Sequence, residues 1–261
     1  MLFEKGQFVS VGGYRGGGAG GGALPWGTTG ARPGGGMARS PGAVLSFWFG
    51  EAAAAPQPAA TRALSKEMGR TKFWFAGGPE VDEQCRGFAH LVQPAGRGQL
   101  EAEAPEWGEA AGRLAQIVLL DQIARNVWRG SAEAFRFDGR AQELALGLLG
   151  DECGGWQGLG LAEKVFAVMP LLHSESADLH ARCRGALQGL AAAHPDNAFA
   201  RISLGHLDEH TAVIRRFGRY PHRNRQLGRG DTAAEAAWLR SPECPAWARS
   251  QEPPPRAPGG P

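Results

Sequence analysis

Nothing in this chain is long and apolar enough to cross a bilayer. The longest strongly apolar stretch, Leu114–Leu120, falls far short of the roughly 20 residues a spanning helix requires, so no membrane partner is expected. No secretory apolar stretch follows the N-terminus. The four cysteines, Cys85, Cys153, Cys183 and Cys244, are therefore expected as reduced thiols. No two of them have the spacing of a zinc knuckle or a redox motif, and no metal or cofactor is expected. Excess charge is missing as well: 28 Lys+Arg stand against 26 Asp+Glu, a formal net charge of +2, which argues against a nucleic-acid partner. Alternating β-branched runs, a fixed-period repeat and the Gly-x-Ser-x-Gly string of a hydrolase elbow are all absent.

What is present divides the chain in three. Residues 1–42 are dominated by glycine, with runs at 16–18 and 20–22, and residues 241–261 end in a Pro-rich stretch. Both offer too few apolar side chains to offset the entropy of ordering, so both are expected to be disordered. The Gly-x-Gly strings of the leader have no strand before them and no helix after them, so they fail the context of a dinucleotide loop. The leader carries Lys5, Arg15, Arg32 and Arg39 against Glu4, a balance similar to an organelle transit peptide. The expectation is nonetheless a cytoplasmic protein, with Met37 an equal candidate for the true start; the alternative is an organellar one, if residues 1–42 are a transit peptide. Residues 43–240 remain as a single domain.

Helical spacing fills that domain. From Trp107 to Arg125, apolar residues recur at Leu114, Ile117, Leu120 and Ala124; from Ala198 to Arg216 they recur through Phe199, Ile202, Val213 and Phe217. Thr232 and Glu235 form a capping box that opens a last helix. Further helices are expected near 43–49, 80–93, 138–150, 161–170 and 175–193, with breaks at Pro94–Gly98, Gly154–Gly155 and His194–Pro195. The fold class is all-α, about eight helices with antiparallel neighbours. The triplets Phe47-Trp48-Phe49 and Phe73-Trp74-Phe75 are expected as core anchors.

One stretch stands out against the near-neutral whole. Residues 215–229 hold six arginines and His222, and no acid occurs between Glu209 and Asp231. Guanidinium forks match carboxylate and phosphate oxygens. The segment is thus either a structural clamp for acids brought by the fold or a site for a small anionic ligand. Gly218 and Pro221 point to a fixed turn rather than a solvated run.

Four motifs carry a resemblance. They are Val44-Leu45-Ser46-Phe47-Trp48-Phe49-Gly50-Glu51, the stretch from Leu119 to Gly130 that contains Asp121-Gln122-Ile123-Ala124-Arg125-Asn126, Met169-Pro170-Leu171-Leu172-His173-Ser174-Glu175, and Arg216-Phe217-Gly218-Arg219-Tyr220-Pro221-His222-Arg223-Asn224. Together, from Val44 to Leu239, they resemble the family known as domain of unknown function 924. The resemblance implies a TPR-like fold of stacked helix pairs and no established reaction. Ile123-Ala124 replaces the family's Phe-Pro, so the helix is expected to run on to Arg125 here. Glu163-Lys164 falls near an expected arginine, and Cys153-Gly154-Gly155-Trp156 replaces a more acidic turn.

The candidate site follows from these motifs. Asp121 lies at the edge of an apolar helix, where a carboxylate is costly unless partnered. His173 titrates near neutral pH, and Glu175 is placed to orient it. Asp121, His173, Glu175 and His222 are the candidate catalytic residues. Gln122, Arg125, Asn126, Arg216, Arg219, Arg223 and Asn224 are the candidate ligand contacts. Asp121, Arg125, His173, Glu175, Arg219, His222 and Arg223 are expected around one cavity, with Arg219 and Arg223 pairing with Asp121 and Glu175 in the clamp reading. Ser174 is expected to cap the helix that follows it. His206-Leu207-Asp208-Glu209-His210 matches a short zinc-peptidase string without a third ligand, and it is read as structural. The expected ligand is a small anionic compound, with phosphorylated ones included in the class. The alternative is an adaptor that grips an acidic peptide on a concave face.

Overall fold

The computed structural model describes residues 2–4, 7–9, 39–50, 64–150 and 155–249. Regular structure from Pro41 onward is helical throughout among the described residues. The early helices are α1 (Pro41–Phe49), α2 (Leu64–Ala76), α3 (Pro79–Arg86), α4 (Ala89–Gly96) and α5 (Gln99–Glu103). Next, α6 (Ala110–Ile117) passes through a π-helical turn, Val118–Ile123, into α7 (Ala124–Val127). The later helices are α8 (Asp138–Leu149), α9 (Leu161–Leu172), α10 (Ala177–Ala193), α11 (Ala198–Phe217) and α12 (Ala233–Arg240). No helix among the described residues is long and apolar enough to cross a membrane.

Several elements differ from the sequence expectation. Helix α2 was not anticipated, and the helix expected over 80–93 is two, broken at Gly87 rather than at Pro94. Ser176, not Ser174, caps α10 by accepting from Leu179 N at 3.4 Å; Ser174 Oγ instead accepts from Ser176 N and closes the turn before it. In the leader, β1 (Leu2–Glu4) and β2 (Gln7–Val9) pair antiparallel with Phe3 opposite Phe8, where disorder was expected. The other leader residues up to 38, together with Cys153, Gly154 and residues 250–261, lie outside the described residues. A boundary at 240 is also too early. Residues Ala246–Arg249 form a 3-10 turn, and Cys244 and Ala248 are buried in a small second core with Val213, Ile214, Tyr220 and Trp238.

The main core forms because the apolar stripes of α1, α6, α8 and α9 meet. Phe166 on α9 is its aromatic hub, with Trp74 at 4.9 Å, Phe49 at 5.5 Å and Trp48 at 5.7 Å between ring centroids. The two aromatic triplets do lock helices together, and Trp74 Nε1 donates to Trp48 O at 2.8 Å. All six residues of the π turn are buried. Capping is as the sequence indicated at α12, where Thr232 Oγ1 accepts from Glu235 N and Glu235 Oε2 accepts from Thr232 N. Gly218, at φ +71°, closes α11 in the left-handed conformation that only glycine adopts without strain.

Candidate functional site

The site begins with Asp121. Its carboxylate is fully buried in the π turn, and a widened turn of this kind re-aims side chains at functional positions. Three donors converge on it. Gln122 Nε2 donates to Oδ2 at 2.5 Å, His173 Nδ1 lies 2.8 and 3.0 Å from its two oxygens, and Arg125 Nη1 lies 3.1 Å from Oδ1. Burial alone would raise the carboxyl pKa, but Arg125 and the donors from His173 and Gln122 outweigh it and hold Asp121 well below the usual carboxylate range. Asp121 thus pairs with Arg125, four positions on in its own helix, and not with Arg219 or Arg223 as the clamp reading expected, and it does so in the core.

A carboxylate only accepts, so His173 Nδ1 carries the proton and Nε2 is the free, proton-accepting nitrogen. Burial lowers the pKa of His173. The ionised Asp121 opposes that shift, while the positive fields of Arg125 and Arg223 add to it. His173 is thus a neutral base at pH 7, with its ring fixed by Asp121.

Arg125 and Arg223 share a second acid. Arg125 Nη2 lies 3.0 Å and Arg223 Nη1 3.2 Å from Asp138 Oδ2, and Arg223 Nη2 donates to His173 O at 2.8 Å. The Arg223 guanidinium also covers the rings of Phe135 and Tyr220, at 4.8 and 4.7 Å. Arg223 is 6% exposed, so it works as a clamp that ties the loop after α11 to the end of α9.

Three other arginines of the basic segment, Arg216, Arg219 and Arg229, are paired elsewhere. Arg219 forks onto Glu235 at 2.6 and 2.8 Å and donates to Gly230 O, holding the start of α12. The carboxylate expected for it, Glu175, pairs with Arg229 at 2.7 and 2.9 Å and accepts from Tyr220 N. Glu175 therefore does not orient His173, whose partner is Asp121. Asn224 Nδ2 donates to Asp231 and braces the same loop. Arg216 lies 3.4 Å from Glu243 and is more than half exposed.

A cavity of about 1290 Å³ opens beside this network. Gln122, Arg125, Asn126, Arg129, His173 and Arg216 are in its lining. Asp121 stands behind His173, and neither His222, Arg223, Arg219 nor Glu175 reaches the cavity wall. Of the seven residues expected around one cavity, two therefore line it: the basic loop uses most of its charge on the fold's own carboxylates. Arginines still outnumber carboxylates in the lining, five to three. Asn126 accepts from Arg129 Nη2 at 2.9 Å, and Arg129 is anchored on Asp82 at 2.7 and 3.1 Å.

Three further histidines surround Tyr220. His210, a cavity residue, donates from Nδ1 to His206 O at 2.7 Å, and its ring stacks on Trp247 with centroids 3.7 Å apart. The string from His206 to His210 is thus bound into the helix and the terminal segment. No group of three or more His, Cys, Asp or Glu side chains arranged for a metal occurs among the described residues. His180 bridges Ser174 O and Thr211 Oγ1, at 2.9 Å each. His222 packs 5.3 Å from Tyr220 and 5.4 Å from Trp247, with a buried, unpartnered Nδ1. Burial lowers the pKa of all three. It pushes the Cys183 thiol, which also faces the cavity, up to about 12.

Sequence reasoning passed over Asp138, Arg129, His210 as a cavity wall, and Trp247. Arg129 stood inside the motif from Leu119 to Gly130, in the turn that follows α7. Asp138 opens α8 with no local signal. Its role depends on a contact across 85 positions, to Arg223.

Fold and cavity together define an all-helical protein with a buried acid–histidine pair at the edge of an arginine-lined cleft. The chain belongs to the family described as "bacterial protein of unknown function (DUF924)", whose model matches residues 44–243. Among solved structures it is similar to a protein of unknown function from Agrobacterium tumefaciens. The two are 27% identical over 67% of this chain and 97% of that one, with a TM-score of 0.51. No curated protein matches it.

Proposed function

We propose that the cavity is a site for a small anionic ligand and that His173 serves there as a general base. The observation that carries the reading is the pair itself. Asp121 is buried and ionised and fixes the imidazole through Nδ1, which leaves Nε2 unprotonated on a ring that lines the cavity. That is the division of labour of a carboxylate-oriented histidine base. Five arginines stand in the lining against three carboxylates, which favours an anion, and one of them, Arg125, is bonded to the same Asp121 as His173. Within this reading His173 is the catalytic residue and Asp121 its positioning residue. Arg223 acts through both by holding the His173 backbone.

The order of contacts, α8 with α9, α9 with α10 and α10 with α11, supports a TPR-like stack of antiparallel helix pairs. Such a stack also suits the alternative, an adaptor holding an acidic peptide on its concave face. The enzyme or binder reading is preferred because the segment Pro242–Trp247 walls the cleft and the basic loop is spent on internal acids.

A thermal-shift screen of small phosphorylated and carboxylated compounds tests the reading. Ligands that bind the folded state raise the melting temperature. The expected result is a set of anions that stabilise the protein, each converted or bound less well by His173→Gln. The reading fails if no anion stabilises it, or if His173→Gln changes neither binding nor turnover.

A further inference from the structure

We infer that the cavity takes an organic anion carrying an apolar chain, with the anionic head at Arg125 and Arg129 and the chain along α9. The inference rests on the anion reading above and names its substrate class. Val165, Val168, Met169 and Leu172 all line the cavity at spacings of three and one, which puts them on one face of α9. The stripe ends at His173. From Val165 to His173 it runs eight residues, about 12 Å at 1.5 Å per residue.

The far end of the stripe is closed by aromatics. Trp74 and Phe75 line the cavity there, and both pack on Phe166, next to Val165. Phe75 is 45% exposed, while among the described residues the only other exposed large hydrophobic is Leu227, at 38%. An aromatic ring left open at the wall of a cleft is the feature a bound apolar group would cover. The polar end is equally defined. His173, Arg125 and Asp121 are linked at 2.8–3.1 Å, and Gln122 touches Met169 Sδ at 3.2 Å, marking where the polar lining meets the apolar stripe. The cavity, about 1290 Å³, is larger than a compact inorganic or sugar-phosphate anion needs.

Calorimetric titration of the full chain with butyrate, hexanoate, octanoate, 1-octanol and inorganic phosphate tests the inference. Affinity is expected to rise about fourfold per added methylene, at about 0.8 kcal/mol each, and octanoate to bind more tightly than 1-octanol. Phe75→Ala, at an exposed position at the far end of the stripe, is expected to weaken octanoate while leaving butyrate and phosphate unchanged, and Met169→Gln to flatten the dependence of affinity on chain length. If anions bind with no dependence on chain length, this inference fails and the anion reading stands. If 1-octanol binds as well as octanoate, or no anion binds, both fail. Octanoate binding that emerges only after removal of residues 250–261 assigns the trough to the chain's own tail and overturns the inference.

Discussion

At the scale of single residues, charge pairing decides what each side chain is for. Asp121 satisfies two cationic or polar partners from its own helix and one from α9, so Asp121→Asn strips the balance from a buried Arg125 and frees His173. We expect it to cost roughly 3–5 kcal/mol, the usual range when one member of a buried ionic cluster is removed. The sequence left Arg223 open between a ligand contact and an arm of a clamp. Its contacts with Asp138, His173 O and two rings favour the clamp. Arg223→Ala should destabilise by roughly 1.5–3 kcal/mol, the worth of a buried charged hydrogen bond. Chemical denaturation of both variants is the check, and an Arg223→Ala protein as stable as the wild type would remove the clamp. Asp121, Arg125 and His173 were legible because each follows an apolar helical run directly, and a polar group there must be partnered. Which arginine partners which acid was not legible, since Arg219 with Glu235, Arg229 with Glu175 and Arg223 with Asp138 are choices made by tertiary geometry.

At the scale of elements, helix spacing was readable and helix irregularity was not. The expectation that the helix runs on through Arg125 is met, because Ala124 supplies the backbone N–H that a proline would remove. The π turn that makes Asp121 point at His173 left no trace in the apolar pattern, whose residues are buried all round it. Glycine positions give a direct test of the packing between elements. Gly112 in α6 lies so close to the turn Pro105–Gly108 that a Cβ would overlap Glu106 O and Trp107 Cα. Gly189 in α10 has no atom within 4 Å of the corresponding point. Gly189→Ala should therefore stabilise by roughly 0.5–1 kcal/mol through helix propensity. Gly112→Ala should instead destabilise by about 1–3 kcal/mol or more as the backbone is forced apart. Melting temperatures that move the same way for both would contradict the close approach of α6 to that turn.

At the scale of the whole molecule, four buried histidines, His173 and the three around Tyr220, couple folding to acidity. Each has its folded pKa lowered by burial, so the unfolded chain binds more protons below the ordinary histidine value of about 6.5. The stability they contribute is complete above that value and is lost as pH falls toward the folded pKa values. Scanning calorimetry between about pH 7.5 and about pH 5.5 should show a falling melting temperature, with more than one proton taken up on unfolding. A flat profile would mean that these rings are charged or hydrated in the folded state. The all-α class was visible in the sequence because the period of the apolar residues is local information. The end of the domain was not, because Cys244 and Ala248 are buried by contacts with α11 and α12 rather than by any periodic pattern. That terminal packing divides the cleft's ownership. The family model stops at residue 243, yet Trp247, which stacks on His210 and donates to Glu209, belongs to the wall. A compound long enough to touch Trp247 is therefore recognised partly by a stretch outside the matched family sequence, so ligand preference learned from one relative does not transfer to another until that stretch has been compared.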